Sequence, residues 1–225
     1  MNIAYKIKNW LFLFSFLLFC IPILAETNIA PRIEKLKPLM AGDPAPTFTV
    51  YKVDGSEFHF NPDNLEHPTL IIFYRGGWCG ACNQQLRDVS NIMAKIMELG
   101  INVIFPNGDR PEIMYSSLKH ETKQAIAELD YLLLSDSDLN AAQAFSVAYV
   151  LDDEILNRYR SRKEWDLHQS SIDKYDALPL PSVFIINTDG IIAFQYHNLD
   201  PRIRLSSEDL LKEIKKIVDI RPDFK

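Results

Sequence analysis

Two cysteines separated by two residues, Cys79 and Cys82, are the side chains best suited to chemistry in this sequence. An apolar run, Thr69 to Tyr74, leads into Gly76 and Gly77 ahead of them, and a helical pattern begins at Asn83. Strand, tight loop, helix start: this order puts the first thiol at a helix N-terminus, where unpaired N–H groups favour the thiolate. A Cys-x-x-Cys in such a β-α-β setting suits thiol–disulfide exchange. Cys79 would attack a disulfide sulfur to form a mixed disulfide, and Cys82 would then attack Cys79 and release the reduced product. Trp78 is expected to shield one side of the pair, and Arg75 to favour the thiolate or orient a substrate.

Blander readings of the pair are weaker. A structural zinc site needs four ligands, yet there is no second cysteine pair and the five histidines (His59, His67, His120, His168 and His197) are scattered. Those histidines are read as surface residues without a catalytic role. An inert disulfide over so short a loop would restrain the unfolded chain little. Met93 and Met97 are read as packing residues, and neither a cofactor nor a metal is expected.

The elements that must position the dithiol follow from pattern. Thr69–Tyr74 is continuously apolar and suits a strand buried on both faces. Upstream, residues 41–46 are punctuated by Gly and Pro as an extended loop, and Asp54-Gly55 turns a hairpin between Phe48/Val50 and Phe58/Phe60. Downstream, Leu86, Val89, Ile92, Met93 and Ile96 define one amphipathic helix ended by Gly100. Ile101–Phe105 is the second, parallel strand. A helix from Pro111 to Leu129, a strand Tyr131–Leu134 and a helix Leu139–Phe145 come next. Leu151 to Tyr175 is charged, carries Arg158, Arg160, Arg162 and Lys163, and reads as a solvated helical insertion, with a docking face for an acidic partner as the alternative. Ser182–Asn187 and Ile191–Tyr196 form an antiparallel hairpin around Asp189-Gly190. Ser206 or Ser207 caps a last helix that buries Leu210, Ile214 and Val218. The predicted fold class is α/β, a mixed central β-sheet flanked by helices.

The chain has 225 residues, enough for one domain. Its 47% apolar and 24% charged residues fit a globular protein, and its net charge of −6 argues against nucleic acid as a partner. The first 25 residues stand apart. Lys6 and Lys8 precede an apolar run from Trp10 to Leu24, and Ile23-Leu24-Ala25 is a small-residue cleavage site. This is the layout of a secretory signal peptide cleaved after Ala25, with an uncleaved membrane anchor as the alternative. Cleavage removes Cys20 and leaves Cys79 and Cys82 alone in a periplasmic or secreted protein with no stable membrane insertion. Residues 26–40 read as a mobile lead-in, and residues 41–225 as the domain, with its insertion at about 151–175.

The stretch from Phe73 through Arg75, Trp78, Cys79 and Cys82 to Gln85-Leu86-Arg87 resembles the active-site signature of the peroxiredoxin-like branch of the alkyl hydroperoxide reductase/thiol-specific antioxidant family, within the thioredoxin superfamily. The resemblance continues in Gly42-Asp43-Pro44-Ala45-Pro46, in Leu180–Asn187 with Asp189-Gly190, and in Asp200-Pro201 with Arg204. It implies a thioredoxin-like fold and a redox cysteine at Cys79. It also implies a cis Pro181 facing the dithiol, with the backbone of Leu180 holding an extended substrate; Pro179 is the competing candidate. Two positions depart from the family. Peroxidatic sites carry Thr or Ser three residues before the nucleophile, where this chain has Gly76. Gly80-Ala81 lies between the cysteines where this branch often has Pro and an aromatic.

The expected function is therefore an exported thiol–disulfide oxidoreductase acting on thiol or disulfide proteins. The first alternative is a hydroperoxide reductase with Cys79 peroxidatic and Cys82 resolving, served by a thiol reductant. The second is a non-catalytic redox sensor or binding protein.

Overall fold

The computed structural model describes residues 27–220, so the signal-peptide reading lies outside the described residues. Among the described residues, nine strands and eight α-helices follow one another in a mixed order. The hairpin β1 (Phe48–Tyr51) and β2 (Glu57–Phe60) comes first and turns at Gly55, whose φ of 80° suits glycine. Next come β3 (Thr69–Phe73), α1 (Gly80–Ser90), α2 (Met93–Glu98) and β4 (Asn102–Asn107). They are followed by α3 (Pro111–Met114), α4 (His120–Ile126), β5 (Leu132–Ser135) and α5 (Asn140–Ala144). The remainder is β6 (Ala148–Val150), α6 (Asp153–Arg160), α7 (Ser171–Tyr175), β7 (Ala177–Pro179), β8 (Ser182–Ile186), β9 (Ile192–His197) and α8 (Ser207–Ile220).

Seven strands form one mixed sheet in the order β2-β1-β5-β4-β3-β8-β9, and β6 and β7 pair separately. The β3–β4 and β4–β5 pairs are parallel, and the other pairs in the sheet are antiparallel. Every residue of β3 is buried, as its unbroken apolar run requires. Alternation splits it between two cores. Leu70 and Ile72 face Leu86, Met93 and Ile214, while Ile71 and Phe73 face Phe145 and Phe184. Phe73 meets those two rings at centroid distances of 5.5 and 6.0 Å, in tilted and edge-on contacts. The strand that ends at the dithiol is thus fixed from both sides.

Four expectations need correction. The single helix drawn through Leu86–Ile96 is two helices, because Ser90 Oγ bonds Arg87 O at 2.7 Å and Asn91 closes the turn. Leu86, Val89, Met93 and Ile96 stay buried, but Met97, read as a packing residue, is exposed on the outer face of the second piece, which ends at Gly100 with φ 69°. The helix drawn over 111–129 is also two, α3 and α4, because the chain between them is drawn onto the active-site loop. Lys119 N–H donates to Asn83 Oδ1 at 2.9 Å, and Ser117 Oγ to Asp109 Oδ2 at 3.0 Å. The lead-in read as mobile is tied down from residue 28 onward. Asn28 bonds Gln143 and Ser146, and Ala30 bridges to β6 through Ala148 O and Val150 N–H, both at 2.9 Å. Finally, no cis peptide bond occurs among the described residues, so the bond before Pro181 is trans.

Candidate active site

Cys79 ends the loop after β3 and is the N-cap of α1, with extended backbone at φ −78°, ψ 112°. Its Sγ accepts the Cys82 N–H at 3.2 Å, one of the donors a helix start leaves unpaired. A second donor, Arg75 Nη2, reaches the same sulfur at 3.1 Å. Cys79 and Cys82 are joined as a disulfide with their Cα atoms 5.2 Å apart. Cys79 is 2% exposed and Cys82 is fully buried. In the reduced protein the same two donors would stabilise a Cys79 thiolate, by charge-assisted hydrogen bonding and the helix dipole.

The Cys82 sulfur has a looser neighbour. Arg204 Nη2 lies 3.7 Å from it, while Arg204 Nε donates to the buried Gln85 Oε1 at 3.0 Å. Burial, with the nearby Arg75 charge, lowers the Arg204 guanidinium to about 10. Tyr149 stands close to both arginines, and burial raises its phenol to about 12.

The loop itself is braced by Asp109, just past β4. Its Oδ2 accepts the Gly77 N–H at 2.7 Å and the Ser117 hydroxyl at 3.0 Å. Burial raises this carboxyl to about 6, against the lowering effect of those hydrogen bonds. Asn83 Nδ2 adds a bond to Gly77 O at 2.6 Å. Gly76 has no room for a side chain: an added Cβ would stand 2.4 Å from Trp78 Nε1 and 2.6 Å from Asp109 Oδ1. The indole and the carboxylate occupy the space a hydroxyl residue would need. Gly77 is equally confined, by Ser117 and the Leu118 backbone.

Trp78 shields the site in company. Its ring stacks on Trp165 at 4.5 Å and meets Tyr159 at 5.2 Å, and Arg75 Nη1 donates to Tyr159 Oη at 2.9 Å. Tyr159 and Trp165 belong to the segment read as a solvated insertion. Its cations are largely engaged at home: Arg160 pairs with Asp176, Arg162 with Glu164, and the Arg158 guanidinium lies over Tyr159. The signal available in sequence was a tryptophan in a charged stretch. Asp109, Ser117 and Tyr149 carried no such signal.

Of the predicted site residues, the structure brings together Cys79, Cys82, Arg75 and Trp78. Leu180 and Pro181 play a different part from the one the resemblance implied. Besides the trans bond, Leu180 N–H donates to Val147 O at 2.7 Å, and its carbonyl accepts Ser182 Oγ at 2.9 Å. Leu180 is fully buried, so its backbone is committed to the β6–β7 ribbon and the start of β8 instead of a substrate. Tyr74 Oη and Arg75 Nε, at this end of the sheet, are buried without a hydrogen-bond partner among the described residues.

Comparison with known proteins agrees with this geometry. Residues 41–195 match the model of the AhpC/TSA family. Over 112 residues the chain is 28% identical to Peroxiredoxin Bcp of Escherichia coli, covering 50% of this chain and 67% of that protein. A reduced 2-Cys peroxiredoxin of Plasmodium vivax superposes with a TM-score of 0.59 at 17% identity, covering 82% of this chain and 86% of that one. Peroxidoxin BcpB of Mycobacterium tuberculosis gives 0.54 at 15% identity, over 80% and 98%. These two structures share the fold.

Proposed function

Because the chain belongs to the AhpC/TSA family, we propose that it is a thiol–disulfide oxidoreductase cycling Cys79 and Cys82, and that it works outside the cytoplasm. The observation that carries the reaction is the bonded pair at the start of α1 with Arg75 on the Cys79 sulfur. In the forward cycle the Cys79 thiolate bonds to one sulfur of a substrate disulfide, and the other sulfur leaves as a thiolate. Cys82 then bonds to Cys79 Sγ and expels the substrate's second thiolate, so the substrate gains the two electrons that the dithiol loses. Export rests on the first 25 residues alone; it predicts a mature protein whose mass lacks residues 1–25, and an intact Met1 would refute it.

The relatives support a second reading equally. Cys79 would attack the distal oxygen of a hydroperoxide, release the alcohol and become a sulfenic acid, and Cys82 would condense with it and expel water. Within the site, Gly76 favours the first reading, because no hydroxyl stands where peroxidatic sites carry one. Stopped-flow oxidation of the reduced protein separates the two. Oxidation by hydroperoxide no faster than that of free cysteine, alongside rapid exchange with a disulfide, is the expected result. Fast peroxide oxidation with slow disulfide exchange would reverse the assignment.

A further inference from the structure

Attack on a disulfide depends on which sulfur is attacked and on access to it, and the Cys79–Cys82 bond is almost completely covered. Trp78, next to Cys79, is covered in turn by Trp165 of the segment 161–170, which lies between α6 and α7 and has no regular structure. Its own backbone hydrogen bonds are local, such as Arg162 N–H to Tyr159 O and Trp165 N–H to Arg162 O. Leu167 packs against the core at its base. The described polar ties from this segment to the opposite side of the site converge on one residue, Arg110, immediately before α3. Arg110 grips Asp166 with two hydrogen bonds, of 2.9 and 2.6 Å, and donates to His168 O at 2.7 Å. That grip sets Trp165 on Trp78, the neighbour of Cys79. A groove of about 370 Å³ remains between Trp165 and Asp166 on one wall and Gly77, Ser117 and Lys119 on the other. Neither cysteine lines it; it borders Gly77 and Trp78 of the loop before Cys79 and takes a small thiol there, whereas a folded protein must bring a loop and its backbone.

We propose that the segment 161–170 determines which reductant reaches the Cys79–Cys82 disulfide. Small thiols reduce the bond with the segment in place, and a protein dithiol does so only after the Arg110–Asp166 grip lets go. This rests on the redox reading above and adds the class of reductant. The electron count is the same for both classes. The reductant's first thiolate bonds to Cys79 Sγ and the Cys79–Cys82 bond breaks with its electron pair on Cys82. The second thiolate then closes the reductant's own disulfide as Cys79 leaves, and the two thiol protons end on Cys79 and Cys82. Segments held by few contacts open at low cost, so one side chain can set the rate.

The test compares reduction of the full mature protein by dithiothreitol and by a purified thioredoxin, in the wild type, Arg110→Ala and Asp166→Asn. Both substitutions remove the grip from outside the redox centre. Each is expected to speed reduction by thioredoxin about fivefold, the worth of one good surface ion pair, and to leave the dithiothreitol rate within about twofold. Trp165→Ala should give the same selective gain with the grip intact. Rates that rise together for both reductants, or a ratio unchanged in all three variants, would overturn the proposal. If dithiothreitol liberates no thiol at Cys79 in the wild type, the redox reading fails and the proposal with it.

Discussion

The two ends of the disulfide are built differently. Cys79 is a helix cap with two donors on its sulfur at 3.1 and 3.2 Å, one of them charged. Cys82 is inside the first turn, fully buried, and its one cationic neighbour stands back at 3.7 Å while bonded to Gln85. Donors aimed at a sulfur stabilise its thiolate, whether it attacks or leaves. The comparison supports the proposal that Cys79 meets substrate and Cys82 closes the cycle.

The harshest way to break this asymmetry is to remove each sulfur in turn. Cys79→Ser should abolish turnover, whereas Cys82→Ser should still attack substrate and accumulate a mixed disulfide, visible by mass spectrometry. Equal loss in both, with no trapped adduct, would end the distinction. Crowding the Cys79 side comes next. Gly76→Thr forces Trp78 and Asp109 apart, and should cost about 1–3 kcal/mol of stability, as overpacking of a filled site does; unfolding in urea measures it. Arg75→Ala should leave about tenfold less Cys79 thiolate at neutral pH, since an adjacent cation lowers an acid's pKa by a unit or more. Arg204→Ala should have a smaller effect, seen in a longer-lived mixed disulfide and not in the attack on substrate. The ultraviolet absorbance of the thiolate followed through a pH titration compares the two arginines.

The smallest effect is a slope. Burial holds the Asp109 carboxyl at about 6, above its ordinary 3.8, so the native state binds that proton more tightly than the unfolded chain. The stability this gives is complete at low pH and is lost as pH rises from about 4 to about 6. Asp136, raised by burial to about 7 and accepting the Ala141 and Ala142 N–H groups at 2.9 Å, behaves likewise over a wider window. Asp109→Asn should flatten the first part of the pH–stability curve and leave the Asp136 part. A melting-temperature profile unchanged between pH 4 and 6 would show that Asp109 is not the group responsible.

Much of this fold was legible in the chain, for physical reasons. β3 and β8 are buried at every position and apolar after their first residue because both faces are covered, and α8 shows its buried stripe in Leu210, Ile214 and Val218. Cys79, Cys82, Arg75 and Trp78 lie within eight residues of one another, so local order was enough to group them. The missed residues reach the site over long distances. Trp165 and Tyr159 arrive from a segment whose charge pattern describes its outer face only, and Asp109 acts through a backbone N–H that no side-chain pattern records. The short β6–β7 ribbon escaped because each strand has three residues, too few to show a period. The breaks in the two long helices came from side chains bonding to backbone, which apolar spacing does not register.

Gly76 has a consequence for how such a site can change. The volume beside its α-carbon is already held by an indole nitrogen and a carboxylate oxygen. A hydroxyl-bearing residue and that pair exclude one another, so positions 76, 78 and 109 behave as one composite unit. A single exchange at any of them meets a clash or leaves a hole, and the three are expected to show strong non-additivity when varied together. A library aimed at converting the reaction type should randomise these three positions jointly, since a one-at-a-time scan would discard each useful member for the wrong reason.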